Sequence, residues 1–110
     1  MLNKQTTLYL YRGATSSISF DFTNFEFNGG KCVFTISKIC TKDILYQVEF
    51  DESKKYIIVI PDEFTATLKD NQYLYNIMYI IGDERYPQCA DSDIIVRNVV
   101  NAYEQWNNYK

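Results

Sequence analysis

Apolar and polar residues alternate one by one along several stretches of this chain, a period that fits strands with one buried face. In Ser17-Ile18-Ser19-Phe20-Asp21-Phe22 the alternation is strict. Cys32-Val33-Phe34-Thr35-Ile36-Ser37 repeats it, with Cys32, Phe34 and Ile36 on the core side. Ile44, Tyr46, Val48 and Phe50 alternate with Leu45, Gln47 and Glu49, so those four are expected to face inward together. Thr7 to Tyr11 gives a first strand with Leu8 and Leu10 on one face and Tyr9 and Tyr11 on the other. Tyr56 to Ile60, Gln72 to Ile81 and Ile94 to Val100 bring the total to about seven strands. Ile18, Phe20, Phe34, Ile36, Ile58, Tyr75 and Ile77 are expected to meet in one core between two sheets.

The residues between these stretches agree. Arg12-Gly13-Ala14 separates the first two strands, and Asn28-Gly29-Gly30 accepts positive φ at little cost. Asp51-Glu52-Ser53-Lys54 reads as a polar hairpin loop, and Gly82-Asp83-Glu84 as another ahead of a short Arg85-Tyr86-Pro87 piece. Pro61 to Leu68 opens with proline and two acids, which suits one helical turn crossing from one sheet to the other. Turns at this spacing, between short strands, predict an all-β sandwich or barrel of seven to eight strands. At 110 residues the chain holds one core. The sandwich is expected over residues 1–100, with residues 101–110 as a C-terminal arm.

Composition removes whole classes of function. Ten tyrosines and seven phenylalanines against four glycines and two prolines favour pleated structure, and 46% hydrophobic residues suffice for a core. The net charge is −3 and the basic residues are scattered, so no stripe exists to track a nucleic-acid backbone. Histidine is absent, which removes Ser-His and Cys-His pairs and the usual zinc sites. Cys32, Cys40 and Cys89 are an odd set without CxxC spacing, read as reduced thiols; a Cys32–Cys89 or Cys40–Cys89 bridge is the alternative. The first residues hold no apolar run long enough for a signal peptide, and no stretch approaches a membrane span. A protein made in the cytoplasm, without metal or other cofactor, is the expectation.

Leu68-Lys69-Asp70-Asn71-Gln72-Tyr73-Leu74-Tyr75 follows the crossover. Immunoglobulin-like sandwiches often place a tyrosine here, at the start of the penultimate strand, with its hydroxyl bonded back to the preceding loop. Tyr73 is the candidate. Taken together with Leu8-Tyr9-Leu10-Tyr11-Arg12-Gly13, Ser17 to Phe22, Cys32 to Lys38, Ile58-Val59-Ile60-Pro61-Asp62 and Tyr73-Leu74-Tyr75-Asn76-Ile77, the order of elements resembles the short immunoglobulin-like domains of phage and prophage structural modules. The resemblance spans about residues 7–100. Asn76 stands where that group usually has aspartate, and the frequent glycine before Tyr73 is missing.

The resemblance implies a non-enzymatic virion protein, present in many copies and bound to major capsid or baseplate subunits. A capsid decoration protein is the first expectation, since no fibre or enzyme module accompanies the domain. A baseplate or tail adaptor comes next. A receptor- or carbohydrate-binding module, with exposed tyrosines stacked on sugar rings, is the alternative of another class.

Catalytic candidates fare poorly. The doublets Asp51-Glu52, Asp62-Glu63 and Asp83-Glu84, with Asp91 and Asp93, fall in expected loops and lack the spaced ligands of a calcium site. A glycosidase needs a deep cleft, which so short a chain has little length to build. Ser16, Ser17 and Ser19 have no base to activate them.

Aromatic and apolar residues on the outer faces are more informative. Tyr9 and Tyr11 lie opposite Leu8 and Leu10, while Leu74 and Met78 lie opposite Tyr75 and Ile77. These four, together with Tyr103, Trp106 and Tyr109 of the C-terminal arm, are the candidate protein-interface residues, because tyrosine and tryptophan commonly anchor interfaces. Ordinary exposed tyrosines, and a tail folded over its own domain, are the competing readings.

Overall fold

Wherever the alternation is strict, strands form within a residue or two of expectation. They are β1 (Leu8–Arg12), β2 (Ser16–Asp21), β3 (Lys31–Lys38), β4 (Ile44–Phe50), β5 (Lys55–Ile60), β6 (Tyr73–Ile81) and β7 (Glu84–Asn98), with α1 (Asp62–Thr65) between β5 and β6. The computed structural model describes residues 7–69 and 72–98. One sheet has the order β1-β7-β6-β3-β4, and β2 pairs with β5 in a second. Every pairing is antiparallel except β1 with β7, where Leu8 meets Ile94 and Arg12 meets Asn98 in parallel register.

The two sheets face each other as a sandwich and share one apolar cluster. Leu10, Phe34, Ile36, Ile77 and Ile94 enter it from the larger sheet, and Phe20, Ile58 and Ile60 from the smaller. Phe34 is fully buried at the centre, its ring 6.0 Å from that of Phe20 and 5.8 Å from that of Tyr75. All seven expected core residues are in this cluster or packed against it, Ile18 at its margin. Cys32 and Cys89 are buried and Cys40 is exposed; all three are free thiols.

Three departures have physical causes. Ile44, expected inward, is 61% exposed. The β3–β4 register shifts between Ile36, paired with Tyr46, and Ser37, paired with Ile44. That irregularity makes Leu45 the extra residue and turns Ile44 to the other face. Asp51 to Lys54 is no hairpin, because β4 and β5 belong to different sheets. The loop carries the chain across, and the Tyr56 hydroxyl fastens it by accepting from the Glu52 N–H (2.8 Å) and donating to the Glu52 carbonyl (2.6 Å). Finally, the Arg85-Tyr86-Pro87 piece is the start of β7 itself, paired to β6 from the Gly82-Asp83 turn onward. Gly82 has φ +58 there, a conformation glycine adopts without strain.

Pro61 stands at the N-cap of α1 rather than inside it, with Asp62 and Glu63 in the first turn as expected. The helix does connect the two sheets. Thr65, wholly buried, donates its hydroxyl to the Ala14 carbonyl at 2.8 Å and so pins the helical turn to the β1–β2 turn. Beyond it, the Lys69 N–H donates to the Tyr73 hydroxyl at 2.8 Å, the back-bond anticipated for that tyrosine. Arg12 reinforces the same corner through the Leu68 carbonyl (2.7 Å), the Lys69 carbonyl and the Asn98 side chain (2.6 Å).

Candidate functional site

The first candidate surface is the outer face of the five-stranded sheet. Because Cβ atoms alternate across a strand, turning Leu10 and the half-buried Leu8 toward the core forces Tyr9 and Tyr11 outward. They are 45% and 38% exposed, and the Arg97 guanidinium lies over the Tyr9 ring at 5.3 Å. Leu74 and Met78 point the same way from β6 and are half-buried. They line one shallow groove with Thr35, Ser37 and the displaced Ile44. Tyr9 and Tyr11 lie outside that groove, with β7 between their strand and β6. The structure therefore brings Leu74 and Met78 together, and sets the two tyrosines apart on the same face. Polar pairs separate the apolar positions: Asn76 with Asp91 (2.9 Å), Gln47 with Thr35 (3.2 Å) and Lys31 with Glu49 (2.9 Å). Tyr103, Trp106 and Tyr109, and the arm boundary at residue 100, lie outside the described residues.

A second surface was not anticipated. An open cleft of about 860 Å³ lies where the loop after β2 meets β6 and the beginning of β7. Phe22, Phe25, Tyr79 and Tyr86 supply its aromatic lining, and Asp21, Glu26 and Gln88 much of its polar lining. The loop folds back because the Asp21 carboxylate accepts from the Thr23 N–H (3.0 Å) and Thr23 hydroxyl (2.7 Å). Those two bonds, the hydroxyl first, hold the Asp21 carboxyl below its usual value, so it is charged at neutral pH. Phe25 then meets Tyr79 edge-on, their centroids 5.1 Å apart, and Tyr79 stacks against Tyr86 at 6.3 Å and 29°.

Tyr79 is fixed by donating its hydroxyl to the Phe27 carbonyl, and by Gly30 beneath it. A Cβ at Gly30 would stand 2.8 Å from the Tyr79 ring and 2.7 Å from the Ile80 carbonyl oxygen, so only glycine fits without a shift. Tyr86, 44% exposed, donates its hydroxyl to the Glu84 carboxylate, which raises the phenol's pKa. The sequence signal for this cleft is the dense run Phe22, Phe25, Phe27 beside Asp21 and Glu26. Its other wall comes from residues more than fifty positions away, which no local pattern reveals.

The acidic doublets do not converge, and among the described residues no three His, Cys, Asp or Glu side chains cluster as metal ligands would. Burial pushes the Cys32 thiol up to about 12, so it is a neutral core group and no nucleophile. Among the described residues no helix is long and apolar enough to cross a membrane. No family model and no curated protein matches the chain.

Proposed function

We propose that the chain is a non-enzymatic structural module of a bacteriophage particle, an immunoglobulin-like domain held in many copies by other virion proteins, with capsid decoration as its role. One observation carries the binding part: Tyr9, Tyr11, Leu74, Met78 and Ile44 present apolar surface on the outer face of a sheet whose other face already fills the core. A sheet with one face in its own core and apolar side chains on the other is suited to packing against a neighbouring protein.

The immunoglobulin-like part is supported by topology. The pairing of β2 with β5 opposite β4-β3-β6-β7 matches the B-E and C′-C-F-G arrangement of those sandwiches, and Tyr73 opens the penultimate strand with its hydroxyl bonded back. The virion assignment rests on the resemblance in element order. Synthesis in the host cytoplasm and residence in the particle follow from that assignment.

The test is mass spectrometry of purified particles from a phage encoding the chain, with Tyr11→Glu and Met78→Glu variants alongside. The wild-type protein should be present in fixed ratio to the major capsid protein. The variants should fold yet be absent or depleted. Absence of the wild-type protein from particles, or normal incorporation of both variants, would overturn the reading.

A further inference from the structure

The cleft at the β6–β7 end is unrelated to the outer sheet face, and its chemistry is specific. Among the described residues its walls are aromatic, its two charged lining residues are Asp21 and Glu26, and no lysine or arginine lines it. Lys55, the partner of Asp21 across the β2–β5 pair, helps keep that carboxylate ionised but is not part of the lining. Glu84 adds a third carboxylate at the edge of the Tyr86 ring.

We propose that this cleft receives an arginine side chain presented by a partner protein, with the guanidinium against the Tyr86 ring and paired to the Glu26 carboxylate. A flat cation is what rings and carboxylates attract together, because the ring face is negative and the carboxylate accepts two parallel N–H bonds. Guanidinium suits an apolar-walled cleft better than ammonium, being more weakly hydrated and able to stack. An anion would be repelled by both lining carboxylates. A neutral sugar would use the ring but gain nothing from the charge. Asp21 is already engaged by Thr23, so it contributes field rather than a bidentate contact. The site is also prepared in advance: Tyr79, tied to Phe27 and backed by Gly30, holds Tyr86 in place. The proposal does not depend on the virion reading, and its test involves no particle.

The full-length protein is titrated with the peptide acetyl-Gly-Arg-Gly-amide while backbone amide shifts are followed by NMR. The lysine and glutamate counterparts and maltotriose serve as comparison probes. The arginine peptide should give saturable shifts confined to the segments around residues 21–27 and 84–88, weakened by added salt. Glu26→Gln and Tyr86→Ala should each weaken binding about fivefold, whereas Tyr86→Phe should retain most of it. Thermal melts check that the variants are folded. Should Tyr86→Ala unfold, Glu26→Gln decides. Absence of saturable shifts, an equal response to the lysine or glutamate peptide, or binding by maltotriose in place of the arginine peptide would each overturn the proposal.

Discussion

Replacing Phe34 with alanine tests the sandwich at its centre. The ring is fully buried on β3, which is hydrogen-bonded on both sides, to β4 and to β6. Removing it forfeits the transfer of a large apolar side chain, about 1.5–3 kcal/mol. It also weakens two ring contacts, with Phe20 and Tyr75, each of order 0.5–1.5 kcal/mol. Neighbours on rigid strands relax poorly into the space, so the total should fall in the roughly 3–5 kcal/mol range of buried aromatic truncations. A domain of this size has roughly 5–15 kcal/mol of stability in all, so the variant should survive with a much lower midpoint. The assay is a urea titration by tryptophan-independent far-UV circular dichroism, with wild-type slope as the check that the unfolded state is unchanged. Ile57→Ala is the control, since Ile57 is 70% exposed on the outer face of β5 and should lose little. A Phe34→Ala cost below about 1 kcal/mol, or an Ile57→Ala cost that matches it, would refute the assignment of inner and outer faces.

Other outcomes follow from the same geometry. Tyr73→Phe should cost about 1 kcal/mol in urea titration, the ordinary net contribution of the hydrogen bond from Lys69 N–H. With a native alkylating reagent near neutral pH only exposed Cys40 should react quickly, whereas all three thiols react in urea. Cys32 has its folded pKa raised by burial to about 12 from 9.0. Its contribution to stability is therefore whole below pH 9.0 and declines as pH rises toward about 12, a decline that Cys32→Ala should reduce in alkaline urea titrations. Truncation after Val100 should leave the melting temperature nearly unchanged, since the described core closes between Leu8 and Val96, but should prevent incorporation into particles. Normal incorporation would leave the outer sheet face as the whole attachment, and unfolding would make residues 101–110 part of the core.

Much of the sandwich was legible because burial on one face writes itself into a strand as period two. Phe20, Phe34 and Ile77 could be assigned inward from that alone. Ile44 could not, because a bulge inverts the pattern within a run that looks unbroken. The first half of β7 was illegible for another reason. Glu84 to Asp93 is polar and contains Pro87, and it is a strand because β6 offers it a ladder, with irregular register near Ile77 and Met78. Interface candidates on β1 and β6 were readable from apolar residues on both faces. The aromatic cleft was not, since it exists only once the loop after β2 meets the β6–β7 hairpin.

The parallel pairing of β1 with β7 carries a consequence for how the protein is made. Leu8 leaves the ribosome long before its partner Ile94, which lies at the other end of the fold. During translation, at roughly 5–20 residues per second, β1 must wait seconds without the strand that covers its edge. Closing contacts so distant in sequence is also intrinsically slow. The domain can thus be completed only once β7 has been synthesised, and the Arg12–Asn98 contact forms when that has happened. A ribosome stalled before β7 should hold a chain that proteases still cut readily near Tyr9 and Tyr11, whereas released protein should resist at the same bonds.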